Sequence, residues 1–441
     1  LFTRKDLVRL IVPLIIEQVL AATIGIADTL MVASVGEVAV SGVSLVDSIN
    51  ILLLQVFAAL STGGAIVAAQ YLGREDAENA NRAARQLMVV TTLVAAGLGA
   101  VCLAMGPAIL HLLFGSAEQA VMQSAQTYFW LSALGYPLIA IYNVSAALFR
   151  VQGNSRISMF AALVMNVTNI GFNALLIFVF RMGVAGAALG SLIARMCGTA
   201  LLLFFLRNPH NRLHLDTLRG FRFDREMIRN ILRLGIPNGL ENGIFHIGKI
   251  IVAGLIASFG TVAIAANAVS NSILTMSQMP GSALGLAMVT VIGQCVGARD
   301  YPLAKKYMFG LTGVSYALMA ALNLLMIFFL PPVIGCFGLS EETARAAWEV
   351  CVVCCIGNAL IWPASFTLPN GLRAANDVKV TMIVSVLSMW IFRVGFSYIL
   401  GAWLGMGLLG TWLAMIIDWV ARAVVFTVRT MGGKWQYIKG V

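Results

Sequence analysis

The sequence predicts an all-α integral membrane protein: twelve transmembrane helices in two homologous six-helix lobes, parallel repeats about a pseudo-two-fold axis along the membrane normal. Three observations predict it. Of 441 residues, 60% are hydrophobic and 11% charged, with a mean hydropathy of +0.90, whereas a soluble domain has about 45–50% and about 25%. The chain also repeats itself at an offset of about 224 residues, placing Pro13, Glu17, Gly36, Gln70, Gly73 and Asp76 in register with Pro237, Glu241, Gly260, Gln294, Gly297 and Asp300. Finally, Lys and Arg crowd into alternate gaps between the apolar runs, the charge bias of a helix bundle with both termini cytoplasmic.

Each apolar run reaches the ~20 residues that a bilayer requires. The first, 10–34, follows Arg4, Lys5 and Arg9; the second, 44–72, ends at the polar stretch "GREDAEN". Runs at 84–112 and 120–148 flank "GSAEQ", and "QGNSR" separates the fourth from the fifth at 157–180. The sixth, 184–206, gives way to "RNPHNRLHLDTLRGFRFDRE", which reads as a linker. The second half follows the same plan at 229–257, 265–296, 303–335, 342–370, 376–403 and 406–430. The predicted domains are therefore an N-terminal lobe at 1–206, a cytoplasmic linker at 207–228 and a C-terminal lobe at 229–441. The formal charge of +10 forms no continuous stripe, which argues against nucleic acid as a partner.

Several polar residues lie inside these runs. An ionisable group in hydrocarbon costs at least about 2.5–3.5 kcal/mol, yet the first span holds Glu17 and Asp28. On an ideal helix they differ by about 20° of rotation and about 16 Å of rise, so they share a face, one low and one high. Two readings stand for each: a carboxylate paired with a neighbouring helix, or a proton or cation station facing water. In the fifth span Asn166, Asn169 and Asn173 follow at i, i+3 and i+7. Such amides join helices by hydrogen bonds or, with the Ser191 hydroxyl, offer neutral oxygens to a cation beside Asp28. A sodium ion at Asp28, Asn169 and Asn173 is thus one expectation.

In the seventh span "LENGIFHIGK" carries Glu241, His246 and Lys249. Glu241 and Lys249 are expected to form a charge pair, directly or through another helix, and His246 to be a hydrogen-bonded structural residue or a titrating switch. Arg195 and Arg393 are expected to neutralise helix ends or acids such as Asp418. Met276 and Met279, beside Pro280, suit membrane packing or an adaptable cavity wall. Glu17, Glu241, His246, Lys249, Met276 and Met279 are accordingly the substrate-cavity or gating candidates. The C-x-x-C within "CVVCC" lies in an apolar run and reads as packing, since a redox motif wants a βα setting. With neither H-E-x-x-H nor G-x-S-x-G in the chain, the expectation is no enzyme, no catalytic residue and no cofactor beyond a coupling ion, proton or sodium.

The motifs "ADTLMVASVGEVAVSGVSL", "AQYLGREDAENANRAARQ", "GQCVGARDYPLAKK", "LFRVQGNSRISM", "NVTNIGFN", "GVAGAALGS", "FRVGFSYIL" and "GTWLAMIIDWVARA" resemble those of the multidrug and toxic compound extrusion (MATE) family over essentially the whole chain. The resemblance implies two six-helix lobes around a central cavity, and export of drugs, often cationic, in exchange for sodium ions or protons. It places the acid central to coupling at Asp28, with Asn169, Asn173 and Ser191 lining the same pocket. Many relatives carry a second acid where this chain has Asn173, so this pocket holds less charge. The tenth span, "VCVVCCIGNALIWP", lacks the acid that marks another subgroup.

Residues and resemblance together predict a secondary active antiporter of the cell membrane, a monomer that exports drug-like, cationic organic compounds by alternating access. Its partners are then small organic substrates and the lipid bilayer. The alternative is a flippase for a lipid-linked or amphiphilic substrate in the same superfamily.

Overall fold

Helices account for the regular structure of the computed structural model, which describes residues 2–215 and 218–440. Asp216 and Thr217 of the predicted linker, and Leu1 and Val441 of the predicted lobes, lie outside the described residues. The first half comprises α1 (Arg4–Ala33), α2 (Glu37–Gly73), α3 (Ala77–Phe114), α4 (Gln119–Leu134), α5 (Tyr136–Val151), α6 (Ser155–Ala174) and α7 (Val184–Leu206). The second comprises α8 (Arg225–Ala257), α9 (Thr261–Ser277), α10 (Met279–Gly297), α11 (Tyr301–Gly335), α12 (Glu341–Leu360), α13 (Leu368–Ala374), α14 (Val378–Ser388) and α15 (Gly407–Gly432). Among the described residues, 11 helices are long and apolar enough to cross a membrane. The pair α4 and α5, bent by 46° at Gly135, brings the number to 12 when counted as one span. The chain is thus the multi-pass, all-α membrane protein that its composition predicts.

Exposed side chains mark where lipid lies. On α1, Val8, Val12, Ile16, Val19, Ile26 and Leu30 are exposed and fall along one helical stripe. Glu17 and Asp28 lie about 180–200° round from Val8, so both carboxylates turn away from hydrocarbon.

The duplication is visible in the backbone as well as in the sequence. Gly36 and Gly260 begin α2 and α9 with φ of 138° and 102°, values that a side chain rarely tolerates. Asp76 and Asp300 cap α3 and α11, each accepting the backbone amide three residues on at 3.1 Å. π-helical turns, which often occur at functional sites, extend α6 over Leu175–Val179 and α14 over Met389–Gly395.

The charge pairs repeat too. Glu17 of α1 faces Arg150 of α5 at 3.5 Å and accepts from Ser158 at 2.8 Å. Glu241 of α8 faces Arg373 of α13 at 2.5 Å. This corrects the expected pairing of Glu241 with Lys249. Those two lie on the same helix at i and i+8, about 12 Å apart along its axis, whereas α13 brings Arg373 alongside. Breaking a buried pair leaves an uncompensated charge. Glu241→Ala is therefore expected to destabilise by about 3 kcal/mol, and Glu17→Ala by less because its pair is longer; thermal unfolding in detergent ranks them.

By compactness the described chain forms two units, Phe2–Gly239 and Leu240–Val441. The division falls within α8, beyond the 207–228 segment. The physical reason is a close approach inside the first unit: a Cβ on Gly63 would lie 2.6 Å from the Gly235 nitrogen, so α2 and the start of α8 touch backbone to backbone. The 207–228 segment itself is laced onto the first unit. Gln86 donates to the Arg222 carbonyl at 2.7 Å, the His214 amide donates to Asn81 at 2.8 Å, and Arg82 pairs with Asp224 at 2.9 Å.

Candidate functional site

Three helices of the first unit bring their polar residues together. α1 supplies Asp28, α6 supplies Asn169 and Asn173, and α7 supplies Ser191. Asn173 donates through Nδ2 to Asp28 Oδ1 at 2.7 Å and, more weakly, to Asn169 Oδ1 at 3.4 Å. Asn169 in turn donates to Ser191 Oγ at 3.1 Å. The two amides are buried and Asp28 is half-buried. Asp28, Asn169, Ser191 and Arg195 line a cavity of about 200 Å³, together with Tyr142 and Asn143. The four residues named from the sequence are therefore neighbours. Asn166 is separate from them: its amide donates back to the Ala162 carbonyl of its own helix at 3.0 Å.

A glycine makes this packing possible. A Cβ on Gly190 of α7 would overlap the Asn173 side-chain oxygen, so Gly190→Ala must push the amide off its place against Asp28. The expected result is a loss of transport of about tenfold, the effect of one displaced charge-assisted hydrogen bond, with the fold intact. Initial export rates from proteoliposomes measure it.

Two further residues belong to this site. Arg195, expected to neutralise a helix end or an acid, lines the Asp28 cavity, where Asp28 and Asp47 are the acids near it. Room for it comes from Gly135, at the break between α4 and α5, where a Cβ would sit 3.0 Å from Arg195 Nη1. The partner of Asp418 is Arg422, at 2.9 Å. Asp47 of α2 is a second acid close enough to interact electrostatically with Asp28 and Arg195. It is held by Tyr128 and by Asn50 at 3.4 Å, and Asn50 accepts from the Tyr136 hydroxyl at 2.7 Å. Its signal was present, an acid in the "VDSIN" stretch of an apolar run, and the rule that singled out Asp28 finds it.

The remaining candidates belong to the second unit, apart from Glu17. His246 stands edge-on to the Phe245 ring, and the Lys249 ammonium lies 5.4 Å from the same ring. Met276, exposed, and Met279, half-buried, flank Gln278 at the join of α9 and α10, and Gln278 donates to Asn358 at 3.1 Å.

Chemically, the Asp28 site is one carboxylate facing donors. Asn173 turns its NH2 toward the carboxylate, and the Arg195 guanidinium shares the cavity. A sodium ion instead needs oxygens converging on it. The Asn173 oxygen is buried without a hydrogen-bond partner and would serve after an amide flip. Among the described residues no group of three His, Cys, Asp or Glu side chains is placed to hold a metal.

Comparison with known proteins gives a consistent result. The MatE family profile matches residues 13–175 and again 237–399, once in each half. YisQ of Bacillus subtilis (strain 168), an uncharacterized transporter, is 26% identical over 96% of this chain and 93% of its own. NorM of Thermotoga maritima, a probable multidrug resistance protein, is 25% identical over 98% of this chain and 93% of its own. A crystal structure of MATE in the bent conformation has the same fold, with a TM-score of 0.89 at 20% identity, covering 97% of this chain and 95% of that one.

Proposed function

This chain belongs to the MatE family, and we propose that it is a monomeric antiporter of the cell membrane, exporting drug-like organic compounds in exchange for protons carried at Asp28. Its ends lie on the cytoplasmic side, the side selected by its Lys- and Arg-rich gaps. Organic cations are the load that the family resemblance implies.

The observation that carries the proton reading is the 2.7 Å contact from Asn173 Nδ2 to Asp28. With Asp28 ionised, that bond is charge-assisted and Arg195 has a counter-charge in the cavity. A proton on Asp28 weakens the bond and leaves Asp47 as the acid that answers Arg195, so the two protonation states favour different packings of α1 on α6 and α7. Coupling requires such a difference, because an ion held equally in both conformations shifts nothing. A proton taken up from outside thus biases the bundle toward the conformation that releases its load outward.

The test is export from proteoliposomes under a pH gradient and a sodium gradient imposed separately, with a rhodamine-type cation and a naphthoate-type anion as probes. Export driven by the pH gradient at equal sodium is the expected result. Export driven by sodium at equal pH would transfer the site to the metal ion, and silence of both probes under both gradients would overturn the antiporter reading.

A further inference from the structure

A cluster in the second unit has no part in the chemistry at Asp28. Around the Phe245 ring of α8 stand three cations: the Lys249 ammonium at 5.4 Å, the Arg393 guanidinium at 5.2 Å and the Arg422 guanidinium at 5.3 Å. Arg422 also lies 5.2 Å from the Phe366 ring. One carboxylate answers them. Asp418, fully buried, accepts from Arg422 Nε at 2.9 Å and from Ser388 at 2.5 Å. Lys249, Arg393 and Arg422 against Asp418 leave two positive charges over.

The two cations without a carboxylate are Arg393 and Lys249. Arg393 is 9% exposed and donates to the Met415 sulfur at 3.1 Å, with no ion pair among the described residues. Lys249 likewise forms no ion pair among the described residues. Its position on α8 is also telling. Leu240, Ile247 and Ile250 form that helix's exposed apolar stripe; Phe245, half-buried, and Lys249, itself exposed, fall roughly opposite it, so the ammonium is open on a different face from that stripe. Gly248 keeps the cluster tight, since a Cβ there would run into Met389, one turn before Arg393.

Cation–π contact softens the desolvation of these charges but neutralises none of them, and unpaired bases inside a membrane are expensive. An oxyanion supplies what is missing, because a guanidinium presents parallel donors that match a carboxylate or phosphate. The surroundings suit a flat apolar body attached to it: Trp362 stacks on Phe366 with centroids 5.1 Å apart and planes 20° apart, and Phe245 stands edge-on to Phe366.

We infer that the second unit holds a binding site for an organic anion, a carboxylate or phosphate monoester on a flat apolar body, with Lys249 and Arg393 as its charge partners. The site names a substrate class for the transporter proposed above and rests on that reading. It is opposite in sign to the first unit, where Asp28 and Asp47 outnumber Arg195, and opposite to the cationic load that the family resemblance implies.

The experiment is calorimetric titration of the purified full-length protein in phosphatidylcholine nanodiscs. The probes are 2-naphthoate, 2-naphthyl phosphate and 2-naphthylmethylammonium, which share one apolar body. Naphthoate is expected to bind at least about tenfold more tightly than the ammonium compound, and Lys249→Met to weaken naphthoate about tenfold, the effect of one charge-assisted hydrogen bond. Lys249→Arg should restore most of the affinity. Arg393→Met should act like Lys249→Met, and if it does not fold the Lys249 variants decide alone. Displacement of naphthoate by phosphatidate in the disc marks a lipid headgroup as the source of the anion, and displacement by naphthyl phosphate alone marks a soluble one; either supports the site. No binding of naphthoate, equal binding of the ammonium compound, or unchanged affinity in a folded Lys249→Met protein would overturn it. A protein that binds naphthoate but moves neither transport probe keeps the site and loses the antiporter reading. One that exports the rhodamine cation and binds no naphthoate does the reverse.

Discussion

Asp28→Asn is expected to abolish gradient-driven export, lowering the initial rate by about 100-fold, near the top of the usual range of coupling free energies. Asparagine has the same shape, still accepts from Asn173 through its oxygen, and keeps α1 against α6. It cannot take or release a proton. The substitution also removes a half-buried charge, so the thermal midpoint should be unchanged or raised. Downhill equilibration of the load should survive, because carrying substrate across does not require the proton. The pH dependence of export should go with the coupling. Rates measured with and without a pH gradient, beside a thermal melt of the same preparation, separate this outcome from a folding defect. A structural Asp28 would show the opposite pattern, with coupling intact and the midpoint lowered.

Asp418→Ala is expected to be the most destabilising of the acid substitutions considered, by about 3–5 kcal/mol. Arg422 is 2% exposed, and its Nε–H has the Asp418 carboxylate as partner, with the Ser385 carbonyl accepting from Nη2 at 3.1 Å. Removing the acid leaves that guanidinium buried beside Arg393 and Lys249 with no counter-charge. Adding Arg422→Leu should recover much of the loss, since replacing both partners of a buried pair removes the desolvation problem. The expected order of thermal midpoints in detergent is Glu17→Ala above Glu241→Ala above Asp418→Ala. Equal midpoints for Asp418→Ala with and without Arg422→Leu would show that the uncompensated guanidinium is not the source of the loss.

Much of this molecule is legible without coordinates, for identifiable reasons. The spans follow from bilayer thickness, and the duplication follows from rigid residue types in register, such as Pro13 with Pro237 and Asp76 with Asp300. Helix geometry puts Glu17 and Asp28 on one face, and the exposed stripe on α1 fits that placement. What escapes is partner choice across helices. Glu241 was matched to Lys249 because both lie in one span, although Arg373, far along the chain, is the side chain packed against it. The repeat held the answer, because Arg150 and Arg373 occupy corresponding stretches beside Glu17 and Glu241. For Arg195 the charge predicts an acid or a helix end as neighbour without saying which, and the acids near it are Asp28 and Asp47. Periodicity carries no distance between spans, so it identifies which residues face inward and leaves their pairing open.

Proton movement itself tests the role of Asp28 most directly. An internal pH indicator in proteoliposomes, read when substrate is added on one side with no sodium present, reports exchange without reference to any imposed gradient. The expected result is a substrate-evoked pH change with the wild-type protein and none with Asp28→Asn. Equal pH changes in the two, or no change in a wild-type protein that still moves substrate, would contradict it.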